Sequence, residues 1–176
     1  MRIHKTEQTT KISKAEALEL AQKLVDEQNF QRAMFYGVGA ALFSIVAWYF
    51  VVESTGLIFS AYGLAVGAIV GYSVRLGGKG LSVHYLLVAF LLSVGACVAG
   101  NFWSIYELFG GLVLPYSEER FDLLVDATVI EVALYGVTYV DALMWISAGG
   151  LGAFLSQRQL DREQRYAMSL YRLSRT

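Results

Sequence analysis

Long apolar runs alternate with polar segments along this chain. Ala33 to Val52, AMFYGVGAALFSIVAWYFVV, is twenty residues without a charge, and Leu57 to Leu76, LIFSAYGLAVGAIVGYSVRL, is twenty with one charge, Arg75, in its last turn. Leu81 to Phe102 forms a third run and the segment ending near Gln157 a fourth. At ~1.5 Å per residue, twenty helical residues span ~30 Å, the thickness of a bilayer's hydrocarbon core. The pattern predicts an all-α fold: an integral membrane four-helix bundle with spans of about 33–52, 57–76, 81–102 and 137–157. An N-terminal amphipathic cytosolic helix should precede the bundle and a helical C-terminal tail should follow it.

Inside the second run Gly63, Gly67 and Gly71 recur every four residues. That spacing puts them on one helix face and leaves a groove in which another backbone can approach closely. Arg75 continues the row, so a cation stands at the end of the groove, snorkelling to headgroups or meeting an acid on a neighbouring helix. In the third run Ser93, Ala96 and Gly100 are small enough to pack into that groove, and Ala148, Gly149, Gly150 and Gly152 give the fourth a small-residue face. Trp48 and Tyr49 fall near the far end of the first run, where an aromatic belt is expected, and Asn101-Phe102-Trp103 marks the interface at the far end of the third, with Trp103 and Tyr106 fitting a belt there.

The polar segments divide the chain into 1–32, 33–158 and 159–176. Ser13 with Glu16 three residues later reads as a capping box. Ala17, Leu18, Ala21, Leu24 and Val25 then gather on one stripe of a helix, packed on the bundle end or a partner, or lying in the lipid interface. Glu53-Ser54-Thr55-Gly56 is a tight hairpin link. Gly77-Gly78-Lys79-Gly80 reads as a turn whose glycines take left-handed angles; it lacks the strand–loop–helix context of a phosphate-binding loop. Residues 104–136 form an extracytoplasmic acidic segment containing Pro115, with Glu118, Asp122 and Asp126 on one solvated helix face.

Two registers are open for the last run. In one, a helix from about Val129 to Leu155 carries Thr128, Glu131, Tyr135, Thr138, Tyr139 and Asp141 as a polar stripe, with Asp141 deep in the bilayer and Arg75 a further member of an ion or proton path. In the other, the span is Val137 to Gln157 and Asp141 lies in its first turn, accepting hydrogen bonds at the positive end of the helix.

Composition agrees with a membrane class: 56% hydrophobic, 16% charged, mean hydropathy +0.48. Of the fourteen Lys and Arg, thirteen fall in the N-terminal segment, the 77–80 turn region and the tail, and only Arg120 falls in the opposite loops. That asymmetry places both termini in the cytoplasm of a multi-pass inner-membrane protein. A net charge of −1 offers no case for nucleic acid. The single cysteine, Cys97, permits no intrachain disulfide. Residues 1–20 lack the basic-then-apolar pattern of a secretory signal, so insertion is expected to use the first span. His4 and His84 are the only histidines and no nucleophile elbow is present, so neither a metal, a cofactor nor an enzymatic activity is expected.

The run Gly67-Ala68-Ile69-Val70-Gly71-Tyr72-Ser73-Val74-Arg75 with Gly77-Gly78-Lys79-Gly80, then Gly95-Ala96-Cys97 and Gly100-Asn101, resembles a group of small bacterial four-span membrane proteins with a glycine-rich second and third span. Tyr139-Val140-Asp141-Ala142-Leu143 adds a weaker likeness, although the proline that similar proteins often carry before this aspartate is absent here. The resemblance implies the four-span fold and places Asp141 near the start of the last span; it implies no activity. Two functions are therefore expected in turn. The first is non-enzymatic association with itself or a protein partner within the bilayer, through Gly63, Gly67, Gly71, Ser93, Ala96, Gly100 and Gly149, in a scaffold, accessory or immunity-type role. The alternative is a small ion or proton channel or transporter subunit using Asp141 and Glu131, with Tyr135, Tyr139 and Arg75.

Overall fold

The structure, a computed structural model, describes residues 12–55, 61–113 and 137–174, with the backbone alone described for 105–113. Among them the chain is all-helical, without strands. The helices are α1 (Lys14–Asp26), α2 (Phe30–Thr55), α3 (Tyr62–Gly78), α4 (Val83–Val113), α5 (Tyr139–Ser156) and α6 (Arg162–Leu173). They fall into two compact units, one of α2 to α5 and one of α1 with α6.

Three helices are long and apolar enough to cross a membrane: α2, with 26 residues and a mean hydropathy of 1.9; the stretch Val83–Ser104 of α4, with 22 and 2.0; and α5, with 18 and 1.2. The glycine-rich α3 is described over 17 residues, and the expected beginning of its span, residues 57–60, lies outside the described residues together with Gly56 of the link. Three apolar helices of this kind point to a membrane protein.

Within the α2–α5 unit, α3 packs on α5, α2 and α4, and α4 packs on α5 and α2, while α2 and α5 do not meet over the described residues. Backbone hydrogen bonds give the direction of the helices. The Asn29 amide, just before α2, donates to the Gly78 carbonyl at the end of α3 (3.1 Å), and the Arg158 amide, just past α5, donates to the Gly80 carbonyl before α4 (3.4 Å). The start of α2, the end of α3, the start of α4 and the end of α5 therefore share one end of the bundle, so successive helices alternate in direction. Its core is Ala33, Ala41, Trp48, Val52, Val66, Val70, Val74, Tyr85, Ala89, Ala96, Cys97 and Ala148.

The α1–α6 unit is built differently. Ser13 and Glu16 cap α1 reciprocally: the Glu16 amide donates to Ser13 Oγ (3.3 Å) and the Ser13 amide to Glu16 Oε2 (2.9 Å). Hydrogen bonding to the carboxylate by the Ser13 backbone amide foremost, and then by the Ser13 side chain, holds the Glu16 carboxyl below its ordinary range. The Asp161 amide donates to Gln164 Oε1 at the start of α6 (3.2 Å). Ala17 and Ala21 of α1 meet Ala167 of α6 with no exposure, and Ile12, Leu20, Met168, Leu170 and Tyr171 pack around them. Of the stripe read from sequence, with its bundle-end, partner and interface alternatives, Ala17 and Ala21 are covered by the chain's own tail, while Leu18 stays 38% exposed.

Three local expectations are corrected. Trp48 points into the core, 2% exposed, instead of forming an outward belt. Its indole packs edge-on to Tyr62 (5.3 Å between centroids) and lies over Gly100, where a Cβ would stand 3.2 Å from the ring, so the missing side chain makes its space. Second, α4 runs on to Val113, past the edge expected near Phe102. Asn101, read as interfacial, is buried within the helix. From Trp103 to Val113 there is one charge, Glu107, and no proline to break the helix. Third, in the 77–80 turn the left-handed residue is Lys79 (φ 47°, ψ 33°), not a glycine. A Cβ on Gly78 would stand 2.6 Å from Ala33 Cβ and from the Tyr85 ring, and one on Gly80 would enter that ring. Those glycines serve close approach, which leaves exposed Lys79 to reverse the chain.

Candidate functional site

The glycine row of α3 meets α5 over its length. A Cβ on Gly67 would stand 2.8 Å from the Ala148 carbonyl carbon and 2.9 Å from its Cα, and one on Gly71 would stand 2.7 Å from Gly152 Cα. Both overlap the carbonyl oxygens of those residues. At Gly63 the seam opens: the nearest atoms to a Cβ would be Cys97 Sγ at 3.4 Å and the Met144 carbonyl at 3.7 Å. The four-residue row Met144, Ala148, Gly152 on α5 is thus the counterpart of Gly63, Gly67, Gly71 on α3, because equal spacing keeps two helix rows in register. Backbone-to-backbone contact of this kind is what small residues permit between helices in lipid, where burial of apolar surface supplies little.

Of the residues of α4 expected to enter that groove, Ser93 and Gly100 are seen against other helices. Ser93 of α4 meets Gly152 of α5, Gly100 of α4 meets Trp48 of α2, and Gly149 of α5 would bring a Cβ 2.7 Å from Phe90 and 2.8 Å from Val94 of α4. Ala96 is buried in the core. At ~100° per residue, neighbouring positions such as 148 and 149 face different helices, so the small residues of α5 are shared between α3 and α4. A Cβ on Gly150 or, on α4, on Gly95 would meet nothing within 4 Å.

The acidic candidate is a cap. Thr138 is extended (φ −94°, ψ 163°) and precedes α5, so no continuous helix passes through from Val129 to Leu155, and Asp141 lies in the first turn. Its Oδ2 accepts from the Thr138 amide (2.8 Å) and from Thr138 Oγ1 (2.7 Å), while its own amide donates to Thr138 Oγ1 (3.3 Å). At 8% exposure the carboxylate is buried at the positive end of the helix, where a negative charge is favoured. Tyr139 is 92% exposed, and half-buried Arg75 is in the last turn of α3, at the end of the bundle away from Asp141. Glu131 and Tyr135 lie outside the described residues, as do Thr128, Pro115, Glu118, Asp122 and Asp126. Among the described candidates, Asp141, Tyr139 and Arg75 are therefore not brought together.

Buried hydroxyls in the bundle are also turned inward on their own helices. Ser44, Ser93 and Ser104 donate to the carbonyls of Ala40 (2.8 Å), Ala89 (2.7 Å) and Gly100 (2.8 Å), four residues back, and Ser156 donates to Ala153 (2.7 Å). Such back-bonding satisfies the hydroxyl without water. Among the described residues no buried side-chain polar atom lacks a partner, and no group of three His, Cys, Asp or Glu is arranged to hold a metal.

Sequence reasoning left open whether the third or the fourth run meets the α3 groove, which α5 fills, and it missed that α1 and α6 form one unit. The first had no signal that would choose α5 over α4, since both carry small residues; the second was readable as two short amphipathic helices outside the apolar runs. No protein-family model, curated protein or solved structure matches the chain.

Proposed function

We propose that this chain is a four-span membrane protein, with both termini on the cytoplasmic side, that acts by non-enzymatic association with itself or a protein partner. The surface for association is the α1–α6 unit. The observation that carries this is the unit's size against its exposure: helices of 13 and 12 residues close on a core of three alanines, yet Leu18, Tyr166 and Leu173 remain 38%, 47% and 71% exposed. The unit is well short of the ~60 residues at which a domain is already marginal on its own, and a second protein surface over those side chains supplies further burial. The glycine row of α3, by contrast, is already occupied by α5. Conduction through Asp141 and Glu131 is less favoured, because the Asp141 carboxylate is engaged in the cap of α5.

Thiol cross-linking in intact membranes tests the reading. Leu173→Cys places a reactive thiol on the exposed rim, while the native Cys97 is buried and leaves a low background. A discrete adduct of dimer mass, or of one constant larger mass, is expected for Leu173→Cys and absent from the parent protein. Monomer alone at full modification would retire association through this unit.

A further inference from the structure

One end of the α2–α5 unit is uniformly basic among its described residues. Asn29 Oδ1 accepts from the Arg32 amide (2.9 Å) in the first turn of α2. That turn presses on the end of α3, since a Cβ on Gly77 would stand 2.7 Å from the Arg32 carbonyl oxygen. Arg75 lies in the last turn of α3. Lys79 reverses the chain, and the Arg158 amide is tied to the Gly80 carbonyl. Four cations from three separate parts of the sequence therefore converge on one turn that is cross-linked through its backbone. The acidic residues described in this unit, Glu53, Glu107 and Asp141, belong to the late part of α2, the late part of α4 and the start of α5, all toward the opposite end.

Lys79 adds an independent sign. A non-glycine residue at φ 47° holds a conformation that L residues seldom adopt, and glycines stand on either side of it. Its side chain is exposed. Just below the cations, Tyr72 and Leu76 of α3 and Val83 and Leu87 of α4 are 53%, 56%, 70% and 57% exposed. Cations beside outward apolar side chains match a molecule with an anionic head and hydrocarbon tails, which a soluble anion does not.

We propose that the Arg32–Arg75–Lys79–Arg158 turn is a binding site for the phosphate headgroup of an anionic phospholipid, whose acyl chains lie along Leu76 and Val83. The inference rests on the membrane reading above but not on the association reading. Cations at a membrane surface attract anionic lipid additively, and guanidinium groups hold phosphate through charge-assisted hydrogen bonds.

The test uses the full chain reconstituted in vesicles of phosphatidylcholine with or without phosphatidylglycerol, with retained lipid counted by native mass spectrometry after gentle detergent release. Phosphatidylglycerol should be retained over phosphatidylcholine. Retention should fall roughly fivefold for Arg32→Gln or Lys79→Gly and roughly thirtyfold for the pair. Lys79→Gly suits the left-handed angle, so the fold should be kept, and exposed Arg32→Gln serves as a second, independent variant. Equal retention of the two lipids, or a double variant that holds phosphatidylglycerol like the parent, would overturn the proposal. Displacement of the lipid by millimolar inorganic phosphate would overturn it in favour of a soluble anion. A chain that fails to float with either vesicle would overturn the membrane reading itself, an outcome separate from the other two.

Discussion

Small residues bring two pairs of helices together in this protein, α3 with α5 and α1 with α6, by different chemistry. Along α3 and α5 the contact is backbone on backbone: Gly67 against Ala148 and Gly71 against Gly152, with no room for a Cβ on either glycine. Between α1 and α6 it is methyl on methyl, Ala17 and Ala21 against Ala167, inside a rim of Ile12, Leu20, Met168, Leu170 and Tyr171. The first arrangement suits a bilayer, where lipid tails are as apolar as leucine and close van der Waals contact must hold the helices. The second suits water, where removing the larger rim side chains from solvent supplies the driving force, ~25 cal/mol per Å². Each solution would serve poorly in the other's surroundings.

The sharpest way to break the comparison is a side chain in the glycine seam. Gly67→Leu would drive its side chain into the Ala148 backbone and should cost more than about 3 kcal/mol or prevent assembly, read as loss of the folded species in unfolding from mild detergent. Gly150→Ala and Gly95→Ala, where a Cβ meets nothing, should change stability by less than about 1 kcal/mol, in the stabilising direction. A folded, fully stable Gly67→Leu protein would remove the seam from the account.

Overpacking the other pair should have a smaller and local effect. Ala167→Leu should cost about 1–3 kcal/mol, confined to α1 and α6: limited proteolysis should trim both ends of the chain faster and leave α2–α5 intact. Equal protection of the ends in parent and variant would mean that the alanine contact does not hold the unit.

Next come the caps. Thr138→Val removes the hydroxyl shared with Asp141 and should cost about 0.5–2 kcal/mol, whereas Asp141→Asn keeps the shape and loses the charge, about 0.3–1 kcal/mol at a helix start. Measured in sealed liposomes, ion or proton flux that Asp141→Asn abolishes would overturn the cap as the whole role of this acid. The smallest effect is acid sensitivity at α1. Because hydrogen bonds from Ser13 lower the folded Glu16 pKa, this contribution is complete above the unfolded carboxylate pKa and is lost as pH falls through the folded value. Chemical shifts of Lys14–Leu18 should stay helical at neutral pH and lose helicity in acid, and Glu16→Gln, which has no carboxyl to titrate, should abolish that dependence on pH.

Much of this was legible along the chain. The Ser13–Glu16 box is a local event within four residues, and the structure forms it. Apolar length marked α2, the larger part of α4 and α5, because hydropathy is a sum over neighbours. Orientation about the helix axis was less legible. Trp48 and Asn101 read as boundary residues because their types favour interfaces, and both turned inward where a facing gap or neighbour decided the matter. Likewise the three glycines of the 77–80 turn read as conformational devices, although their use is to admit Tyr85, Ala33 and the Arg32 backbone.

By itself, then, the sequence determined which stretches are helical and apolar, where caps begin them, and that Gly63, Gly67 and Gly71 share a face; each follows from interactions within a few residues. Only the tertiary structure decided that α5 fills that face, that the chain's two ends pack on each other, and that Arg32, Arg75, Lys79 and Arg158 meet at one turn. Those pairings join residues tens of positions apart, and no local period records which of several small-residue faces will meet.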